Sequence, residues 1–283
     1  MTETSIKFAH IKYDLQPHLV AVIIVCAARK SAEDRSFQLC FSLFIYCSRQ
    51  IVRCPGTICP VARTDWYAHH MVMQNGEVMS TVDVPSPIDL RLMSDALEWE
   101  RTAMRKRPWR MEFFSMFAQE LRTKTPPVSR VLELGSGPGF LACHLLNALP
   151  NVHMVLLDFS AAMHQLARQR LGPLVSRVEF VEESFKEPRW SEQLAQFDAV
   201  VTHQAVHELR HKRYAFELHK QVKAVLRPGA SYLVCDHFFG ADGMSNDQLY
   251  MTADEQKAAI ESAGFKSVRQ VLSKGGLVLH HAK

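Results

Sequence analysis

Two stretches in the second half of this chain carry side chains of the kind that move protons. His203 and His207 stand four apart, and Asp236-His237 form an adjacent pair. A histidine titrates near neutrality, so it can take a proton from a hydroxyl or an amine at working pH. The i, i+4 spacing puts His203 and His207 on one face if a helix begins early after the strand that precedes them. The chain has 14 histidines, and most must pack or hydrogen-bond. His207 and His237 are the candidate catalytic bases.

A different chemistry is written in VLELGSGPGF, residues 131–140. Apolar, strand-like residues end in Gly135, Gly137 and Gly139, with Glu133 just ahead. Three glycines in five residues point to a backbone conformation, or a close approach, that a Cβ would block. Strand, glycine turn and helix in succession make a nucleotide-cofactor site in the general sense. A dinucleotide turn needs its third glycine five places after the first. Phe140 stands there instead, and Pro138 removes an N–H from the turn. The pyrophosphate reading weakens.

These residues need a frame, and the sequence supplies one from about 128 onward. Apolar strand-like runs at 129–135, 152–158, 177–183, 197–203 and 231–237 alternate with helical stretches at 139–149, 160–171 and 207–226. Such alternation predicts a parallel sheet covered by helices. The last of those helices stops at Arg227-Pro228-Gly229. TADEQKAAIESAGF (252–265) reads as a helix capped by Thr252 or Asp254 and closed by Gly264. KSVRQVL and GLVLHHA then flank Ser273-Lys274-Gly275-Gly276 as a hairpin at the sheet edge. Residues 84–122 read as helices laid before the first strand and interrupted by Pro108.

The order Glu133, Gly135, Gly137, Gly139 resembles the first motif of the class I S-adenosylmethionine-dependent methyltransferases, and the resemblance extends over roughly 128–283. Asp158 closes the second strand 19 residues after Gly139, where that family grips the ribose hydroxyls with a carboxylate; an ionised carboxylate accepts two hydrogen bonds from a vicinal diol. The next residue, Phe159, suits an apolar contact with adenine. Ser184 stands where many members carry Asp for the adenine amino group. Glu183 lies beside it and Phe185 after it, and the choice between Ser184 and Glu183 stays open. The run from Thr202 to His207, including His203, is similar to the fourth motif of small-molecule enzymes, and Leu226-Arg227-Pro228-Gly229-Ala230 also recurs. The resemblance implies a doubly wound, mostly parallel seven-stranded α/β sheet with an antiparallel C-terminal hairpin. It also implies S-adenosyl-L-methionine as cofactor and a small organic acceptor methylated at O, N or C. Glu133 would order the turn near the cofactor's ammonium group.

Each of these residues also has a plain structural reading. Glu133 could be a surface carboxylate, Asp158 a helix cap with Ser160, Ser184 a turn residue, and the glycines an unliganded turn. Arg105-Lys106-Arg107-Pro108-Trp109-Arg110 mixes cations with an aromatic, as single-strand binders do. It reads as a solvated helix face, or as a lid with Trp99 or Trp109 facing the pocket. Two rivals stand beside the methyltransferase: an NAD-linked oxidoreductase, and a catalytically silent module that binds cofactor or RNA.

Composition bounds the rest. The chain has 283 residues, 47% hydrophobic and 22% charged, with a net charge of +4. That balance permits an anionic partner without demanding one and speaks against nucleic acid. Seven cysteines form no disulfide framework or C-x2-C pair; Cys54, Cys59, His69 and His70 are the one zinc arrangement worth testing, and no metal is expected. The apolar runs 19–28 and 37–47 are each about half the roughly 20 residues a spanning helix needs. A cytoplasmic protein without a membrane segment is expected. Three segments follow: 1–80, an extension or the product of a start assigned too far upstream; 81–127, a helical cap; and 128–283, the methyltransferase domain.

Overall fold

The computed structural model describes residues 82–283 throughout. Before them it describes the backbone of short strands within 19–30, 37–47, 50–51, 73–74 and 77–78. The chain divides into two units, Met1–Thr81 and Val82–Lys283. In the first, Leu19–Lys30 pairs antiparallel with Phe37–Cys47, so both apolar runs are strands. The Cys54, Cys59, His69, His70 arrangement lies outside the described residues.

The second unit is built on seven strands. They are β1 (Arg130–Leu134), β2 (His153–Asp158), β3 (Val178–Glu182), β4 (Phe197–His203), β5 (Leu226–His237), β6 (Val268–Lys274) and β7 (Leu277–Ala282). Their order across the sheet is β3-β2-β1-β4-β5-β7-β6. β1 to β5 run parallel, and β7 is antiparallel to both β5 and β6. This is the doubly wound sheet the alternation predicts. Alternate residues of β1 serve opposite faces: Val131 packs with Phe113, Phe117 and Leu145, while Leu132 and Leu134 pack with Val200, Leu218 and Val222. Burial on both faces is why the strands read as continuous apolar runs.

Helices α1 (Met93–Lys106) and α2 (Arg110–Arg122) precede the sheet, and the break between them falls at Pro108, as expected. α3 (Phe140–Ala148) and α4 (Ala161–Leu171) follow β1 and β2. α5 (Ala215–Ala224) and α6 (Ala253–Ser262) lie later. α6 starts with a capping box: Thr252 Oγ1 accepts from Glu255 N at 3.1 Å, and Glu255 Oε2 accepts from Thr252 N at 2.8 Å.

The stretch 207–226 departs from the single helix its pattern predicts. Val206–Leu209 and Lys212–Tyr214 are separate 3-10 turns, and only Ala215–Ala224 is α-helix. Arg210 takes a left-handed backbone (φ 68), which ends the first turn. Its guanidinium donates to Val84 O at 2.8 Å and Pro85 O at 2.7 Å. His203 therefore ends a strand while His207 sits in a 3-10 turn, and the two do not share a helix face.

The root of the sheet is pinned by Asp198 at the start of β4. Its Oδ2 accepts from Ser129 N (2.9 Å), Ser129 Oγ (2.7 Å) and Arg130 N (2.9 Å), and Oδ1 pairs with Arg227. Among the described residues no helix is long and apolar enough to cross a membrane, and no cluster of His, Cys, Asp or Glu could hold a metal ion.

Candidate active site

The strand order reverses between β1 and β4, and open α/β sheets bind ligands beyond the carboxyl ends of such strands. A cavity of about 230 Å³ opens there. Glu133, Gly135, Gly137, Asp158, Phe159 and Phe185 line one part of it, and His203, His207 and His237 line another. Ser184 is not in the lining: its Oγ accepts from Lys186 N at 3.2 Å, and its N–H donates to Glu183 Oε1 at 2.8 Å.

The three glycines of the turn divide by what each makes room for. All have positive φ, at 66°, 52° and 75°. A Cβ on Gly135 would fall 2.4 Å from the Ala205 side chain, and one on Gly139 would fall 3.1 Å from that of Ala167. These two admit neighbouring protein. Gly137 has nothing within 4 Å of its absent Cβ, so it is the glycine that faces open space, and its N–H donates to Asp158 Oδ2 at 2.7 Å.

Asp158 ties the turn to the end of β2, because its Oδ1 also accepts from Ser160 N at 3.0 Å. The cap of α4 is Ser160, whose Oγ accepts from Met163 N. Burial lifts the Asp158 carboxyl to about 6, against the lowering effect of its backbone hydrogen bonds. Glu133 is 2% exposed, and its Oε2 has no partner. Burial, with Asp158 beside it, raises its carboxyl well above the usual range. Ser136 Oγ is likewise buried and unpartnered.

The wall formed by β4 and β5 carries the histidines. His207 Nδ1 lies 2.7 Å from Asp236 Oδ1, and Nε2 lies 3.4 Å from Glu208 Oε1. Burial works against the imidazolium, but Asp236 and then Glu208 outweigh it and hold His207 at about 10. His237 is held at about 4 by burial and by the charge of His207. Its Nε2 meets the Gln204 amide nitrogen at 2.7 Å, while its Nδ1 is enclosed and unpartnered. Gln204 takes a left-handed backbone (φ 57) to make that contact. His203 packs its ring edge against Phe114 and Phe117. Burial drives it down to about 3.

The region before β1 roofs the cavity. Leu90, Trp99, Lys106, Arg107 and Arg110 line it from that side. Trp109 is not in the lining; it lies where a Cβ on Gly275 would reach. The basic run is not one solvated face, since Arg101 pairs with Glu98 while Lys106, Arg107 and Arg110 turn to the cavity. α1 is strapped to the glycine turn through Arg170, which donates to Glu100 Oε1 at 2.5 Å and to Pro138 O at 2.8 Å.

A methyltransferase-domain family model matches residues 131–229, from the first residues of β1 to the bend in β5. Those residues are a methyltransferase domain. The sequence of the domain is similar to the malonyl-[acyl-carrier protein] O-methyltransferase of Geobacter sulfurreducens, with 28% identity over 154 residues, 50% of this chain and 57% of that one. A Nitrosospira multiformis protein of the same name shares 40% over 47 residues, 17% of this chain and 15% of that one. The chain thus spans little more than half the length of the first relative and far less of the second. Among solved structures the methyltransferase domain shares its fold with the DhpI complex with SAH (TM-score 0.53, 20% identity, 68% of this chain and 92% of that one). It shares it also with human N-acetylserotonin methyltransferase in complex with SAM (TM-score 0.54, 16% identity, 68% and 56%).

Class I methyltransferases use S-adenosylmethionine, and the residues of this methyltransferase domain fit it. Glu133 Oε2 and Ser136 Oγ are buried polar atoms lacking partners, which an ammonium group would supply. Each Asp158 oxygen accepts one backbone N–H and keeps a lone pair for a ribose hydroxyl. Sequence reasoning missed Ser136, Gln204, Arg107 and Arg110 and gave Asp236 no role of its own. The apolar strand ending in Asp236-His237 was the available signal for Asp236. Gln204 offered none.

Proposed function

We propose that this protein transfers a methyl group from S-adenosylmethionine to an oxygen of a small organic acceptor, in the cytoplasm. Residues 81–127 serve as the cap and 128–283 as the catalytic domain. The observation that carries the reading is the single cavity at the switch point, with Glu133, Ser136, Asp158 and Gly137 on one side and the His207–Asp236 pair on the other. The O-methyltransferase names of the sequence relatives support oxygen over nitrogen or carbon.

When bound, the cofactor supplies an activated methyl group for in-line displacement. The chain supplies position and a proton acceptor. Glu133 and Ser136 hold the amino-acid end, Asp158 the ribose, and Phe159 with Phe185 the adenine. Nδ1 of His207 is committed to Asp236, so Nε2, 3.4 Å from Glu208 Oε1, is the nitrogen left for the acceptor. Asp236 fixes the tautomer and orientation of the ring, so that Nε2 takes the acceptor's hydroxyl proton. A positive charge brought into the cavity by a bound cofactor would lower the proton affinity of His207. His237, with Nε2 against the Gln204 amide and Nδ1 enclosed, positions the wall with Gln204.

Thermal shifts with S-adenosylhomocysteine, NAD and ATP test the cofactor. Stabilisation by the first alone, about 2.7 kcal/mol at a hundred times its Kd, is the expected result. A shift with NAD and none with S-adenosylhomocysteine would overturn the reading.

A further inference from the structure

Arg110 is 6% exposed, lines the cavity, and has neither a hydrogen bond from its side chain nor an ion pair among the described residues. Its one contact of note is the Trp99 ring, 5.1 Å from the guanidinium carbon. Burial and the charge of Arg107 bring it down to about 10, still charged at neutral pH. Arg107 Nε is also buried without a partner, while its Nη1 donates to the neighbouring Lys106 O at 3.0 Å. Two guanidinium groups on one cavity, Arg110 buried and Arg107 half-buried, with no carboxylate paired to either among the described residues, are unfavourable unless an anion completes the site. The planar fork of arginine matches the paired oxygens of a carboxylate, as it does those of a phosphate.

We propose that Arg110 and Arg107 form a carboxylate-binding subsite in the cavity, and that the carboxylate belongs to the methyl acceptor. The proposal rests on the cofactor reading above and names the acceptor's class: an aromatic or apolar acid whose hydroxyl is turned to His207. The cofactor's own carboxylate is the other source of the same chemistry. Electrostatic placement favours the acceptor. Arg107 and Arg110 both act on His237, and Arg110 acts on His203. The charges acting on Glu133 and Asp158 are instead those of Asp158 and Glu208 respectively. The cationic groups therefore act on the histidine wall rather than on the two carboxylates of the glycine turn. Trp99 and Phe114 supply the apolar lining there.

Calorimetric titrations of the full chain with benzoate, benzamide, S-adenosylhomocysteine and methylthioadenosine test this on the wild type, Arg110→Gln, Arg110→Lys and Arg107→Gln. Benzamide matches benzoate in shape without the charge, and methylthioadenosine lacks the amino-acid carboxylate. The expected result is benzoate bound at least tenfold tighter than benzamide by the wild type. That preference is lost in Arg110→Gln, reduced in Arg107→Gln and partly kept in Arg110→Lys, with S-adenosylhomocysteine unchanged within about twofold. Loss confined to S-adenosylhomocysteine, with methylthioadenosine and benzoate unchanged, overturns the assignment to the acceptor and gives the subsite to the cofactor. No preference for benzoate in the wild type, with S-adenosylhomocysteine equally indifferent to every substitution, overturns the subsite itself. A wild type that fails to bind S-adenosylhomocysteine sinks the cofactor reading alone and leaves the benzoate comparison standing. Circular dichroism melts of each variant show that the fold is kept.

Discussion

Asp236 holds His207 twice: Oδ1 lies 2.7 Å from the ring Nδ1, and Oδ2 accepts the backbone N–H at 2.7 Å. The ring is thereby fixed in place and made more basic than a free imidazole. A base must be unprotonated to work, and His207 stands at about 10 in the unliganded protein. Methylation measured as kcat/KM should therefore rise with pH from 7 toward 10. Asp236→Asn removes the attraction, so the rise should move toward the ordinary histidine value of about 6.5. His207→Gln should slow single-turnover methylation about 10²–10⁴-fold while S-adenosylhomocysteine affinity holds within about twofold. A His207→Gln enzyme of unchanged rate would remove this residue from the chemistry.

The same pair has a signature in stability. His207 is raised by folding, so its contribution is complete below about pH 6.5 and fades as pH climbs through about 10. Asp236 is depressed by its neighbour His207 despite burial, so its contribution is present above about pH 3.9 and fades as pH falls through its folded value. Asp236→Asn should cost about 3–5 kcal/mol, the usual loss when one member of a buried pair is removed. Urea titrations should find that deficit largest between about pH 4 and 6.5 and smaller at pH 9.

Asp158 is expected to bind the ribose only when ionised. Burial holds it near 6, so S-adenosylhomocysteine should bind more tightly as pH rises through that value. Asp158→Ala removes a charged acceptor and leaves Gly137 N–H unpaired. With hydrogen bonds to charged groups worth about 1.5–3 kcal/mol each, the loss of affinity should be on the order of a hundredfold. Titration calorimetry at pH 5 and pH 8 separates the two effects.

The glycines should respond differently to alanine. Gly135→Ala meets Ala205 at 2.4 Å and strains a φ of 66°. It should lose stability on two counts, about 1–2 kcal/mol from the backbone and a further 1–3 from crowding. Adding Ala205→Gly should restore the crowding part. Gly137→Ala carries the backbone strain alone, since its side chain enters open space. It should melt only a few degrees lower yet bind S-adenosylhomocysteine poorly. Equal melting losses in the two variants would contradict the division.

The sheet was legible because its inner parallel strands are buried on both faces and so read as apolar runs closed by a turn or a polar residue, whereas the edge strand Val178–Glu182 is only half-buried. Val131–Leu134 and Phe197–Val201 are examples. The long helix at 207–226 was misread because its periodicity continues through Arg210-His211. Only the left-handed backbone at Arg210 breaks it, and arginine gives no sign of that preference. Ser184 stands where a motif would place an adenine contact; its hydroxyl accepts from Lys186 N and lies outside the cavity lining. Arg107 and Arg110 looked like part of a solvated basic run. Their direction depends on how α2 restarts after Pro108 against the sheet, which a local pattern does not encode.

The clamp at Asp198 has a consequence for the mouth of the cavity at the far end of the same two strands. One carboxylate, held down to about 2 by Ser129, Arg130 and Arg227 against the effect of burial, welds the base of the jaw. The gape between Gly135 and Ala205 then depends on how far β1 and β4 splay from that rivet, and the rivet keeps its charge to a lower pH than Asp158 at the mouth, which is discharged near 6.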